Sequence, residues 1–419
     1  MYKFSSSIIF SLALLFIFSL TSYAQSDERK FEASGQLRLR AETDNKDFNN
    51  DTGEIDFTLM RTRLNLKFTY SDKLIVFAQL QDSRTFGEES VTAATSTLTS
   101  LRNVDLHQGY FQINRLFFPW LNYKFGRMEL AYGAQRLIGV NSWSNVGRAF
   151  NGSVMTLNFK SVQIDFFEST LAESFQAPDT LNGDQTLNGI WAKVQHPNSP
   201  RFDFYVISDE FKQQNRDEKS RLSRSTIGAR IEDKWNHLNL EAEANLQAGK
   251  MNFTQDILAF YLSGLLSLNF DAAAKNQLSL GGDYLSGDKP GTDKYECFNT
   301  LYASRHKFFG YMDYFTDIPK HTRNLGLTDF MVKGKFSPVE KISLGGDFHY
   351  FRLSQSAILN DGSTSKELGA EFDFTFSFDY LKNLNFTAGS SVFVPGKVFK
   401  EWKGKDPSFW VYGQTTVNF

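Results

Sequence analysis

Arginines recur at every second position in two neighbouring stretches. Arg38 and Arg40 stand in Gly35-Gln36-Leu37-Arg38-Leu39-Arg40-Ala41-Glu42, and Arg61 and Arg63, with Lys67 after them, stand in Met60-Arg61-Thr62-Arg63-Leu64-Asn65-Leu66-Lys67-Phe68. A spacing of two puts side chains on one face of a β-strand. Each stretch therefore has a basic face backed by an apolar one, made of Leu37, Leu39 and Ala41 in the first and Met60, Leu64, Leu66 and Phe68 in the second. The chemistry open to a basic face in a narrow, partly dehydrated space is attraction and selection of anions. The same face in a wet lumen can also be plain solvated charge, paired with carboxylates and contributing little beyond solubility.

Later stretches carry the opposite sign. Glu241 and Glu243 alternate with Leu240, Ala242 and Ala244, Asp347 shares a face with His349, and Glu371 and Asp373 alternate with Phe372 and Phe374. A basic early arc opposite an acidic late arc would set a field across the enclosed space and favour polar solutes able to orient in it. Tyr110, with Gln79, Gln81, Gln108 and Gln112, offers a ring and amides that could stack on and hydrogen-bond to sugar rings. Packing beneath an inward-folded loop is the other reading of those residues.

Reactive chemistry has little else to stand on. The six His residues, at 107, 196, 237, 306, 321 and 349, are scattered, with no His-x-x-x-His pair, no Gly-x-Ser-x-Gly and no Gly-rich phosphate loop. His349 beside Asp347 is the nearest thing to a catalytic pair, so no catalytic residue, metal ligand set or cofactor is expected. The single Cys297 excludes an internal disulfide and a cysteine-based zinc site and reads as an inert loop thiol. A formal charge of −2 excludes reading the whole molecule as a nucleic-acid binder.

The elements that position these side chains follow from cost. One Arg or Lys on a lipid face near the bilayer midplane costs about 2–4 kcal/mol, so the basic faces must meet water and the leucines lipid. The final stretch, Phe409 to Phe419, alternates likewise, with Val411, Val417 and Phe419 against Tyr412, Gln414, Thr416 and Asn418. Segments of about ten alternating residues recur along the chain. They begin near Phe31, Ile55, Lys73, Asn103, Trp120, Gly152, Val162, Gly189, Arg201, Ser225, His237, Asp256, Asn276, Leu325, Lys341, Lys366, Leu384 and Ser408. A content of 42 Phe and 16 Tyr suits an apolar belt with interfacial girdles, and only 9 Pro suits continuous ladders. Mean hydropathy of −0.36 says little here, because only alternate residues would face lipid. The longest apolar run after the first 24 residues, Ile257 to Leu266, is too short for a membrane helix.

The reading is all-β: a transmembrane antiparallel β-barrel of about eighteen strands over residues 25–419, preceded by a cleavable signal peptide over 1–24. Lys3, the apolar run Ile8 to Leu20 and Ser22-Tyr23-Ala24 carry the signal-peptide part. Closure removes edges that lipid would not tolerate, and a barrel this wide cannot be filled by its own side chains, so an aqueous channel is expected. The long connections at 86–101, 137–151, 175–187 and 286–323 could fold inward and narrow it.

Several ordered strings are similar to the alginate export family of outer-membrane barrels. They are Gln79-Leu80-Gln81-Asp82-Ser83-Arg84, Gly126-Arg127-Met128-Glu129-Leu130 with Tyr132-Gly133, Gln135-Arg136-Leu137-Ile138-Gly139, then Trp143, Asn145, Arg148 and Phe150, and Phe298-Asn299-Thr300-Leu301-Tyr302 with His306, Gly310 and Asp313. A C-terminal strand ending in Phe also resembles the feature that the assembly machinery of such barrels recognises. The resemblance implies an eighteen-stranded barrel in the bacterial outer membrane, loops that gate it, and an arginine-rich conduit for anionic polyuronate. Carried onto this sequence, the conduit residues are Arg38, Arg40, Arg61, Arg63, Arg127, Arg136 and Arg148, to which Lys67 and Glu129 are added as candidate pore-lining groups. Asn151 departs from the family, which commonly has Asp after the Phe, so a carboxylate partner for a nearby Arg is missing.

The expected function is passive passage or export of anionic or polar carbohydrate across the outer membrane. Its expected partners are outer-membrane lipid and carbohydrate, not nucleic acid. General diffusion without polyuronate specificity is the alternative, and an outer-membrane enzyme a further one. No plug or energy-coupling segment is visible after Gln25, so flow is expected to be passive or driven by another component.

Overall fold

The computed structural model describes residues 29–87, 104–173, 184–214, 219–252, 254–271 and 275–419; the signal peptide expected over 1–24, most of the 86–101 connection and most of the 175–187 connection lie outside them. Alternation yields strands where it is expected. They are β1 (Arg29–Asn45), β2 (Ile55–Tyr70), β3 (Leu74–Thr85), β4 (Val104–Ile113), β5 (Leu121–Met128), β6 (Phe150–Asn158), β7 (Val162–Ala172), β8 (Gln185–Gln195), β9 (Arg201–Gln214), β10 (Lys219–Trp235), β11 (Leu238–Lys250), β12 (Asp256–Asn269), β13 (Gln277–Leu285), the two-residue β14 (Lys294–Tyr295), β15 (Leu327–Val339), β16 (Ile342–Ile358), β17 (Thr364–Leu381), β18 (Leu384–Pro395) and β19 (Ser408–Asn418).

Eighteen long strands pair antiparallel with their sequence neighbours, β13 pairing with β15 past β14, which lies parallel on the start of β12. The ring closes where β1 pairs with β19, Arg38 opposite Thr416 and Arg40 opposite Gln414. Phe419 seals that seam by exchanging backbone hydrogen bonds with Gly35 at 2.6 and 3.0 Å. Among the described residues each of the eighteen long strands has a partner on both sides, as a wall in lipid requires.

Side-chain exposure shows the orientation of the wall. Phe372 is 53% exposed while its neighbour Glu371 is 0% exposed, and the same contrast runs along β12 and through Arg38–Glu42 of β1 and Trp410–Gly413 of β19. Outward residues are the greasy ones, as a bilayer requires. At the short-turn end, Tyr70, Phe118, Trp120, Phe159, Trp235, Phe270 and Tyr380 form an exposed aromatic girdle, with Phe118 and Trp120 stacked at 4.9 Å. Among the described residues no helix is long and apolar enough to cross a membrane, which is silent about strands.

Long connections leave the opposite end, and two of them turn inward. Residues 129–149, between β5 and β6, and 286–326, between β13 and β15, carry buried side chains including Leu137, Ile138, Phe298, Phe309 and Phe315. They meet along a backbone seam: Gly139 N–H donates to Tyr302 O at 2.9 Å, Tyr302 N–H to Leu137 O at 2.8 Å and Ser304 N–H to Gln135 O at 3.0 Å. Phe48, Phe351, Phe393 and Phe399 hold the second loop through Tyr314 and Phe315, so the interior has an apolar core although the wall behind it is polar. The short helix Lys397–Trp402, in the connection before β19, supplies Phe399 to that packing.

Candidate functional site

Strand register brings the first two arginine pairs together. Arg38 and Arg61 are directly opposite one another on β1 and β2, and Gln36 faces Arg63. Two like charges side by side would repel, so something must hold them. The inward loop does so with backbone carbonyls: Arg38 donates to Ser142 O at 2.9 Å and Ser144 O at 3.1 Å, and Arg61 donates to the same two carbonyls at 3.1 Å each. Arg61 also reaches Gln36 Oε1 at 3.0 Å. Carbonyl dipoles orient a guanidinium without cancelling its charge. Among the described residues the Nε of Arg38 and of Arg61, each buried, has no acceptor, and no carboxylate pairs with either.

These arginines wall a cavity of about 600 Å³ between β1, β2, β17, β19 and the two inward loops. Lys307 adds a third cation, and Gln36, Gln135, Asn141, Tyr311, Tyr412, Gln414 and Thr416 supply neutral donors and acceptors. Among the described residues no Asp or Glu lines it. Arg38 and Arg61 are only 5% and 4% exposed, so their charge acts in a poorly screened setting, where it counts for more than at an open surface.

The other expected residues divide. Arg40 is neutralised by Glu42 at 2.7 Å and lies 3.9 Å above the Trp143 ring, whose opposite face stacks on His306 at 4.1 Å. Arg63 meets Glu129 at 3.4 Å, Gln81 at 2.7 Å and His107 at 3.2 Å, and His107 meets Glu129 at 2.9 Å, so Glu129 is a counter-ion under the loop. Lys67 pairs with Glu32 at 3.1 Å, half-exposed near the short-turn end.

Three expectations need correction. Arg127 stands on the outward face with Phe125 and donates to Leu106 O at 3.0 Å and Asn151 Oδ1 at 3.1 Å, because the inward positions of β5 are Asn122, Lys124 and Met128. Asn151 thus does serve an arginine, as an amide and outside the lumen. Arg136 crosses to the far wall and pairs with Asp283 at 2.8 Å, its guanidinium 4.2 Å over Phe308; it anchors a loop. Arg148 is spent on Gly139 O, Tyr302 O and Ala303 O, which locks the two inward loops together.

The acidic late arc is likewise engaged. Asp283 holds Arg136, Glu371 accepts the Met312 N–H at 2.8 Å, Glu243 accepts the Tyr205 hydroxyl at 2.8 Å, and Asp347 holds Lys333 at 2.8 Å. His349 pairs with Asp329 at 2.8 Å, not with Asp347. These carboxylates are sockets for loops and neighbouring strands; Asp283 and Asp347 are paired with cations, whereas Glu371 and Glu243 are held by neutral donors, so the acidic side is only partly neutralised. Of the amides, Gln81 is committed to the loop through Val146 O at 2.8 Å. Lys307, Trp143 and the carbonyls of Ser142 and Ser144 were invisible to strand alternation because they sit in loops. The string resemblance did include Trp143, and that was the available signal.

The closed barrel has counterparts among known proteins. Residues 30–411 match the alginate export family. The chain belongs to that family. No curated protein matches this alginate export barrel in sequence. In fold it is similar to OccK3 (OpdO) of Pseudomonas aeruginosa, with 10% identity, 93% of this chain and 96% of that one covered, and a TM-score of 0.60. OccAB4 of Acinetobacter baumannii gives 11%, 94%, 99% and 0.61, and the outer membrane protein opdK of Pseudomonas aeruginosa 13%, 93%, 98% and 0.59. Family and fold are those of outer-membrane channels.

Proposed function

We propose that this alginate export barrel is a passive outer-membrane channel whose inward loops create a chamber for anionic carbohydrate, of the hexuronate polymer type. One observation carries the reading: Arg38, Arg61 and Lys307 line a chamber to which no described carboxylate contributes. A sugar carboxylate in the chamber would be drawn by two guanidinia and an ammonium that no lining carboxylate offsets, while amides, Tyr311 and Tyr412 meet ring hydroxyls. The loop carbonyls fix the guanidinia in orientation without supplying a counter-charge, and the cargo remains free to leave. Its partners on this reading are outer-membrane lipid outside and carbohydrate within.

Reversal potentials in planar bilayers under a salt gradient test it. Wild type should prefer anions, and Arg38→Ala with Arg61→Ala should move the potential toward cation preference. Millimolar hexuronate oligomers should block the wild-type current more than the variant's. Unchanged selectivity in the double variant would overturn the proposal.

A further inference from the structure

A second polar cavity, about 220 Å³, lies in the wall of β4 to β7. Lumen-facing Gln112 of β4, Asn122 and Lys124 of β5, Thr156 of β6, and Gln163 and Asp165 of β7 line it, and the chain at 129–132 above β5 completes it. Its charge balance is unlike that of the arginine chamber. Glu129 is already held by His107 and Arg63, which leaves one ammonium, Lys124, and one carboxylate, Asp165. An anion entering there would gain from one and lose to the other. The carboxamides are half engaged, Gln112 donating to Asn114 at 2.6 Å, Asn122 accepting the Arg115 N–H at 3.0 Å and Gln163 donating to Asp165 at 3.2 Å, which leaves Gln112 Oε1, Asn122 Nδ2, Gln163 Oε1 and the Thr156 hydroxyl to meet a ligand.

An aromatic anomaly lies close by. Phe77 is a half-buried phenyl on the lumenal face of β3, where alternation calls for a polar group. Its ring is 5.2 Å from that of Tyr110, tilted by 33°, and Lys124 Nζ stands 4.9 Å from the Tyr110 ring centre. Between this wall and the arginine chamber runs a chain of amides. Gln79 donates to Asn65 at 2.6 Å, Gln108 donates to Gln79 at 3.3 Å, and the Glu129 N–H donates to Gln108 at 3.1 Å.

We infer that the β3 to β7 wall is a second saccharide subsite, selective for a neutral, hydroxyl-rich ring. The C–H face of a pyranose is apolar and suits the Phe77 and Tyr110 rings, while its equatorial hydroxyls exchange hydrogen bonds with Gln112, Asn122, Thr156, Gln163 and Asp165. The inference deepens the proposed function and rests on it in one respect, that the cargo is a saccharide; it does not depend on that cargo being an anion. A chain with both charged and uncharged units could occupy both places, since β2 and β5 are three strand spacings, about 14 Å, apart.

Single-channel recording of the full chain in planar bilayers tests this, with maltotriose as the neutral probe and a linear hexuronate trimer as the charged one. Maltotriose should give resolved blocks, and Asn122→Ala with Gln163→Ala should shorten their dwell about tenfold, as the loss of two hydrogen bonds would. The hexuronate trimer should lose much less dwell in that variant, and Arg38→Ala with Arg61→Ala should invert the ratio. Phe77→Ala should shorten maltotriose dwell and Phe77→Tyr should restore it. Absence of maltotriose block in wild type, equal dwell in the Asn122/Gln163 variant, or equal losses for both probes would overturn the inference. Unchanged ion selectivity in the arginine variant, with the maltotriose results as expected, would remove the anion reading and leave this subsite standing.

Discussion

Residue types set what each position can do, and burial decides whether it does it. Arg38, Arg40, Arg61 and Arg63 are alike in sequence and alike in facing inward, yet Glu42 and Glu129 neutralise two of them and loop carbonyls hold the others. Cys297 shows the same principle. Its side chain is buried among Ile257 and Tyr295, and burial pushes the thiol up to about 12, so almost no thiolate exists at neutral pH. A maleimide reagent at pH 7.5 should leave the folded barrel unlabelled over an hour and label it on denaturation. Rapid modification of the folded protein would show that the loop opens around it.

At the level of elements, the inward loops are tied down by charges that strand alternation places on the far wall. Arg136 spans the lumen to Asp283, which also accepts from the Tyr261 hydroxyl at 2.8 Å. Arg136→Met would strand a buried carboxylate, a loss of about 3–5 kcal/mol if it stays charged, whereas Arg136→Met with Asp283→Asn should recover much of it. Urea midpoints for the three proteins, with limited proteolysis at 129–149, measure this. Equal midpoints would mean that the pair contributes nothing to holding the loop. Gly35 marks a second constraint, because a side chain there would run into the Phe419 ring and meet the Arg63 carbonyl at 2.9 Å on the closing seam.

For the whole molecule, nothing weighs more than which face meets hydrocarbon. Leu262 in β12 is half exposed to lipid, and Gln414 in β19 faces the lumen. Leu262→Arg should cost about 2–4 kcal/mol in folding from urea into bilayers, and Gln414→Arg well under half of that. Similar penalties at the two positions would contradict the orientation of the wall. Most of this level was legible in the chain. Ile55, Val162, Arg201, Asp256, Leu384 and Ser408 are strand starts both by alternation and in the fold. The strands expected to start at Gly189 and Ser225 start earlier in the structure, at Gln185 and Lys219, because they begin with mostly polar residues that carry no apolar alternation.

By itself, the sequence determined a closed barrel with a greasy outside and a basic early arc, since period-two patterning and the cost of charge in lipid are local properties that every strand repeats. Tertiary structure alone decided which cations remain unneutralised. Counter-ions for Arg63 and Arg136 lie 66 and 147 residues away, and the carbonyls that hold Arg38 lie 104 and 106 away, on a loop with no periodicity to read. Arg127 is the reverse case: it shares parity with Tyr123 and Phe125 on β5, so alternation itself puts it on the outward face.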